Sequence, residues 1–429
     1  MIFYLLLLIW TVSSALLWRS ADRLARQLPR WPRFFLRGFF GFFFAAVLIY
    51  TLIPFSKPLV EQEPTFLPNI WPTVAYLWFP FVLQMALGVI VAGWILRRGR
   101  HWITKQRAAS KSPVETTAVV DSEQAVNVRF SRRNALTLAA LAVPPLATLG
   151  LAVVARRQAG QFGVRREVLY LPELPEDLDG VTIVHVTDIH IGHFFDPDAV
   201  NRLADTINAL PADLIAITGD LLDRGVLSRL PIGLRFLNSL DRRHGIAMIE
   251  GNHDLHEDVL DFEAAIRATD VPLLLDEERT FAIPGRGTPV QFLGVSWGEL
   301  KLREGDEPDP EDPPRPIRKW TPAWSRSSMR AVAALRRADA FPIVLGHHPH
   351  TILPAADENL PLVLAGHTHG GQIMLTDDIG GGPMRFDYWR GTHVVGNSRL
   401  VICNGVGSWF PLRVNAPAEV LHLTLRRGT

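Results

Sequence analysis

The chain has 429 residues, 48% of them hydrophobic, a net charge of +1 and a single cysteine. That length allows more than one domain, and the lone Cys403 excludes an intramolecular disulfide and a cysteine-based zinc site. No block of basic residues interleaved with aromatics occurs in the second half, so no nucleic-acid partner is expected.

The charge is unevenly divided. Residues 1–160 are rich in Arg and poor in acids, and they contain four apolar stretches, at 1–18, 38–56, 71–96 and 134–155. Each is near or above the roughly 18–20 residues that cross a bilayer as a helix. The expectation is an all-α transmembrane module of about four helices, with a polar linker at 97–133. Arg19, Arg23, Arg26, Arg30, Arg33 and Arg37 lie between the first two stretches, against only Asp22. Arg97, Arg98, Arg100, Arg132 and Arg133 lie between the third and fourth. The positive-inside rule puts both loops in the cytoplasm, and everything after Ala155 on the outer face. The expected location is thus a bacterial inner (cytoplasmic) membrane, multi-pass, with the following domain on the periplasmic side. Ser131-Arg132-Arg133 before an apolar run resembles a twin-arginine export signal, or is an ordinary cytoplasmic flank. Pro144-Pro145 sits mid-stretch, and a re-entrant fourth segment would reverse the facing.

From about Arg165 the pattern changes to short apolar runs alternating with amphipathic stretches, which reads as an α/β domain over 165–429. Val181 to Val186 runs into Asp188-Ile189-His190. Asp198 to Leu210 has helical spacing, and Leu214 to Thr218 ends in Gly219-Asp220. Gly245 to Ile249 ends in Glu250-Gly251-Asn252-His253-Asp254. Pro342 to Leu345 ends in Gly346-His347-His348-Pro349, and Leu360 to Leu364 in Gly366-His367-Thr368-His369. Five strands thus run out into glycine plus a metal-binding residue type, at the edge where open α/β sheets bind ligands. The acid- and proline-rich run Arg303 to Lys319 reads as a solvated loop.

The residues at those strand ends are Asp188, His190, Asp220, Asn252, His347, His367 and His369. Two carboxylates, one amide and four imidazoles are too many for one tetrahedral ion. Mixed N and O donors suit Mn, Fe or Zn above Mg or Ca. Two divalent ions sharing a carboxylate fit the set.

The blocks Asp-x-His, Gly-Asp-x-x-Asp, Gly-Asn-His-Asp, His-x-Pro and Gly-His-Thr-His, in this order, resemble the calcineurin-like metallophosphoesterase family over about residues 165–429. Gly370-Gly371-Gln372-Ile373 and Arg413-Val414-Asn415-Ala416-Pro417 before Glu419 resemble its membrane-anchored bacterial branch. The resemblance implies a four-layer α-β-β-α sandwich. It assigns Asp188, His190 and His369 to one metal, Asn252, His347 and His367 to a second, and Asp220 to both. It makes His253 the residue that assists the leaving oxygen. Asp223 would orient His253, with Asp254 the rival for that role, and Arg224 would contact phosphate. His348 competes with its neighbour His347 as the ligand, while His185, inside a strand, is expected in the core.

The implied activity is direct hydrolysis of a phosphodiester or pyrophosphate bond, with no Ser or Cys nucleophile. Membrane attachment makes a lipid-linked substrate and the lipid bilayer the expected partners. The alternative is a UDP-2,3-diacylglucosamine pyrophosphatase of lipid A synthesis, which needs a cytoplasmic-facing domain. A non-catalytic membrane sensor is the reading from another class.

Overall fold

A computed structural model describes residues 2–26, 28–52, 74, 77–78, 98, 132–158, 160–192, 194–223, 227–256, 258–302, 316–374, 376, 386–408 and 412–428. The chain divides into two compact units, Met1–Arg156 and Arg157–Thr429.

In the first unit, α1 (Ile2–Ala25) and α2 (Arg30–Leu52) form a helical pair, and α3 spans Arg132–Gln158. Asp22 clips α1 to α2, 2.7 Å from Arg26 Nη2 and 2.6 Å from Arg37 Nε. Trp78 packs edge-on against Phe43 at 4.8 Å between centroids and donates to Ser14 Oγ at 3.3 Å. Three of the four expected spans therefore fall on helices, while 71–96 and the linker 97–133 lie almost wholly outside the described residues. Among the described residues no helix is long and apolar enough to cross a membrane. Arginines enter α2 at its first half, and α3 carries Ala, Thr and two prolines. Pro144 and Pro145 do not interrupt α3, and the Thr148 hydroxyl donates to the Pro144 carbonyl one turn back at 2.8 Å.

The second unit contains two sheets. One has the order β1 (Gly163–Leu171), β13 (Glu419–Arg427), β2 (Thr182–Val186), β3 (Leu214–Thr218) and β4 (Gly245–Ile249). The other has the order β11 (Gly391–Val395), β12 (Ser398–Ile402), β10 (Leu362–Ala365), β9 (Phe341–Leu345), β6 (Val290–Gly294) and β5 (Glu277–Phe281). Strands β2, β3 and β4 are parallel, as are β6, β9, β10 and β12. Their runs are mostly apolar because both faces are covered: all five residues of β3 are buried.

Between the sheets, Ile183, Leu214 and Ala247 of one meet Phe292, Ile343, Leu362 and Val401 of the other. On the outer face of the first sheet lie α4 (Pro197–Ala209), α5 (Leu230–Ser239) and α6 (Val259–Arg267). On the second lie α7 (Pro322–Ala334) and α8 (Ile352–Asp357). Helix α4 starts where Asp196 accepts from the Ala199 N–H and Pro197 occupies the first turn, and it buries Val200, Leu203 and Ile207. The domain is therefore mixed α/β, helices outside two facing sheets.

The stretch Arg303 to Lys319 departs from expectation. Pro316–Lys319 forms strand β8, antiparallel to β7 (Glu299–Leu302). Arg318 anchors it, 3.0 Å from Glu250 and 2.9 Å from Glu263, which a proline-rich composition does not reveal. Residues 303–315 lie outside the described residues.

Candidate metal centre

Strands β2, β3, β4, β9 and β10 end where the ligand candidates begin, so two sheet rims deliver them to one place. The turns after those strands are sharp. Asp188, His190, Asp220, His367 and His369 all have positive φ, between +48° and +71°. Non-glycine residues rarely adopt this region, and a concentration of it at one cluster is a mark of function.

The side chains converge in overlapping groups. Asp188, His190 and His369 bring ligand atoms within 4.8 Å of one another, and so do Asp220, His347 and His367. His190 Nε2 is 3.2 Å from His369 Nε2, and His369 Nε2 is 3.4 Å from Asp188 Oδ1. His367 Nδ1 is 3.2 Å from His347 Nε2. Asp220 joins the groups: its Oδ2 is 3.5 Å from His190 Nε2 and 3.3 Å from His347 Nε2. Its other oxygen accepts the His253 backbone N–H at 2.8 Å.

Supporting bonds aim these groups. Thr187 Oγ1 and the His367 N–H donate to Asp188 Oδ2 at 2.8 and 2.9 Å, leaving Oδ1 for the cluster. His347 Nδ1 is 2.7 Å from the Thr218 carbonyl, which presents Nε2 inward. Asp254 is buried and accepts the backbone N–H groups of Asp220, Leu222 and Gly251, each at 2.9 Å. It thereby shapes both loops and turns away from His253. Asp223 faces that ring instead, 3.2 Å from His253 Nδ1.

The electrostatics are those of a cation site. Burial would raise Asp188, Asp220 and Asp223, but the surrounding imidazoles hold all three well below the usual carboxylate range. Burial would likewise depress His190 and His347. The carboxylates outweigh it, pushing them up to about 10 and about 9. Burial keeps His367 and His369 neutral. Two protons thus balance a buried acidic cluster, a task that divalent cations perform better. Two buried acceptors, Asp188 Oδ1 and Asn252 Oδ1, have no hydrogen-bond partner, although donors surround them in any ordinary core. Anionic oxygens, an orphaned amide oxygen and paired ring nitrogens together fit divalent metal ions.

The structure brings Asp188, His190, Asp220, His347, His367 and His369 together, with His253 and Asp223 beside them. A ring nitrogen of His253 also lies within 4.8 Å of His190 and Asp220 ligand atoms. His348 is in none of these ligand-atom groups: its ring lies between Trp320 at 5.3 Å and His367 at 4.8 Å, and its Nδ1 accepts the His350 N–H at 3.1 Å. His185 is buried and 2.8 Å from Thr218 Oγ1. Arg224 lies outside the described residues. Sequence reasoning gave no part to Thr187, Trp297 or Arg413. Trp297 lies 5.4 Å from both His347 and His367, and Arg413 Nη2 is 3.0 Å from His369 Nδ1. The only signal for Arg413 was its short motif near the C-terminus.

Residues 181–371 match the family model described as calcineurin-like phosphoesterase. A Helicobacter pylori protein called an uncharacterized metallophosphoesterase is 26% identical over 267 residues, covering 61% of this chain and 63% of that one. The uncharacterized metallophosphoesterase YkuE of Bacillus subtilis is 28% identical, covering 59% of this chain and 82% of its own. A Danio rerio protein called transmembrane protein with metallophosphoesterase domain is 25% identical, covering 60% of this chain and 55% of its own. The match therefore spans less than two thirds of the Helicobacter and Danio proteins.

Proposed function

Because the chain belongs, through its second unit, to the calcineurin-like metallophosphoesterase family, we propose that it is a dimetal phosphohydrolase cleaving a phosphodiester or pyrophosphate bond. One observation carries this reading: Asp220 Oδ2 stands 3.5 Å from His190 Nε2 and 3.3 Å from His347 Nε2, a single carboxylate oxygen shared by two ligand groups.

Asp188, His190 and His369 would hold one ion, Asn252, His347 and His367 a second, with Asp220 common to both. What divalent cations supply at such a centre is Lewis acidity toward phosphoryl oxygens and a water of lowered pKa. The remaining work belongs to side chains. His253 is partly exposed and Asp223 stands 3.2 Å from its Nδ1, where the carboxylate would stabilise the imidazolium that gives its Nε2 proton to a departing oxygen. Asp254 and the glycine turns hold the ligands rigid, so no reorganisation is needed as charge develops. The one cysteine, Cys403, is buried and its thiol is pushed up by burial and by Glu419, which unfits it as a nucleophile.

Mn is the proposed ion, with Fe or Zn suiting the same donors. A bilayer-attached enzyme acting on a lipid-linked phosphate from the periplasmic face is the finer proposal. Its supports are the arginine-flanked apolar stretches and the outward apolar side chains of α2, with Trp31 87%, Phe35 77% and Phe34 67% exposed. The name of the Danio relative agrees with it. Membrane fractionation and a C-terminal alkaline-phosphatase fusion test that proposal, and an inactive fusion beside an active cytoplasmic reporter reverses the facing.

For the chemistry, protein supplied with Mn should hydrolyse bis-p-nitrophenyl phosphate, and Asp220→Asn should reduce the rate by about 1,000-fold. Absence of hydrolysis with Mn, Fe and Zn alike, or full activity in Asp220→Asn, removes the proposal.

A further inference from the structure

Arg413 stands behind one half of the ligand cluster. Its Nη2 is 3.0 Å from His369 Nδ1, and its Nη1 donates to the His369 carbonyl at 3.3 Å. The same guanidinium donates to the carbonyls of Asn404 at 2.9 Å, Ala416 at 3.2 Å and Gly405 at 3.3 Å, and also to that of Gly407. Its Nε donates to Ser408 Oγ at 2.8 Å.

The segment 404–408 that it gathers lies directly on the turn carrying Asp188. The Gly407 N–H donates to the Asp188 carbonyl at 2.8 Å, and the Val406 N–H to that of Thr187 at 3.2 Å. The approach leaves no room for side chains. A Cβ at Gly407 would sit 1.8 Å from the Ile189 carbonyl oxygen, and one at Gly405 would sit 2.5 Å from Asp188 Cβ. Glu419 fixes the far end by accepting the Asn404 N–H at 2.9 Å. Arg413 therefore bonds His369 directly and braces Asp188 through one short segment. Both are held at φ near +50°, which persists only where the surroundings impose it. The other half of the cluster has a brace of its own, the Thr218 carbonyl on His347 Nδ1 at 2.7 Å.

Resting on the dimetal reading above, we propose that Arg413 is a positioning residue for the Asp188–His190–His369 half of the centre, setting that half's affinity for its divalent cation. A guanidinium is required, because a planar fork serves several acceptors in fixed directions and an ammonium does not. The positive charge by itself disfavours a nearby cation, so the proposal predicts that lost geometry outweighs relieved repulsion.

The test is Mn titration of the chelator-stripped full chain by calorimetry, with bound Mn counted by elemental analysis, for wild type, Arg413→Lys and Arg413→Gln. Wild type should take up two ions. Both variants should keep one at wild-type affinity and bind the other about 10–100-fold more weakly, the usual effect of losing a group that orients a ligand. Their electron paramagnetic resonance should change from a coupled pair to isolated Mn at equal loading. Ser408→Ala, which removes only one acceptor, provides the milder variant should Arg413→Gln not fold, and it should weaken the same ion. Unchanged affinities with a lowered melting temperature, equal loss of both ions, or tighter binding in Arg413→Gln each overturn the assignment. Wild type that binds no Mn overturns the dimetal reading itself.

Discussion

Nδ1 of His253 lies 3.2 Å from Oδ1 of Asp223, an oxygen that also stands 3.6 Å from Nδ1 of His190. One carboxylate thus faces both the His190 ring of the cluster and the His253 ring beside it. Burial would raise Asp223, but the neighbouring His190 and His253 rings hold it well below the usual carboxylate range. A charged acceptor on Nδ1 fixes the His253 tautomer and leaves Nε2 for proton transfer. Asp223→Asn should lower kcat by about 100-fold with Mn content unchanged. Adding it to His253→Gln should cost little more, because the two act as one unit. Loss of an ion in Asp223→Asn would instead make Asp223 a ligand.

Metal binding should release protons. In the metal-free protein His190 and His347 are pushed up to about 10 and about 9, chiefly against burial, by Asp188, Asp223 and Asp220. At neutral pH both rings carry a proton where a ligand must offer a lone pair. Cations therefore compete with protons, and apparent affinity should rise with pH until those rings deprotonate unaided, near pH 9–10. Calorimetry of Mn binding at pH 7, in buffers of differing ionisation enthalpy, should report more than one proton released per protein. An affinity flat from pH 6 to 8 would contradict protons on those two rings.

Gly251 packs directly against the Asp220 turn. A Cβ there would lie 2.1 Å from Asp220 Oδ1 and 2.4 Å from the Asp220 nitrogen. Gly251→Ala must push Asp220 off the position where it meets both groups. It should lower Mn occupancy at both sites and cost more than about 2 kcal/mol of stability, measured by chemical denaturation. Normal occupancy would mean that the loop has slack the structure does not show.

The strand ends that carry the candidate ligands were legible because each follows a short, mostly apolar run, a pattern that burial on both faces dictates. The boundaries of β3 and β4 fell where the runs predicted, and β2, β9 and β10 within two residues. What stayed hidden depends on distance in sequence. Strand β13 enters between β1 and β2, pairing Leu421 with His185 across the whole domain, and no local pattern announces that. The choice between Asp223 and Asp254 turned on side-chain direction: Asp254 is spent on three backbone N–H groups. Arg413 meets His369 from 44 residues away, and only folding joins them. The composition of Arg303–Lys319 concealed β8, since its order comes from Arg318 meeting two distant glutamates.

The adjacent histidines at the end of β9 should separate cleanly. His347 faces Asp220 Oδ2 at 3.3 Å and is fixed from behind by the Thr218 carbonyl at 2.7 Å. His348 instead packs its ring between His367 at 4.8 Å and Trp320, stacked on the latter with an interplanar angle of 21°, and its Nδ1 accepts the His350 N–H. Burial, with His350 and His347 nearby, pushes it down to about 3, so it stays neutral and packs as an aromatic plate. His347→Gln should lose one Mn and lower kcat by about 1,000-fold. His348→Gln should keep both ions and most of kcat, losing about 1–2 kcal/mol of stability from the broken stack and turn. The same pair of variants, compared for bound Mn and for melting temperature, distinguishes a ligand from its support. If His348→Gln lost the ion and His347→Gln kept it, the ring assignments at this strand end would be exchanged.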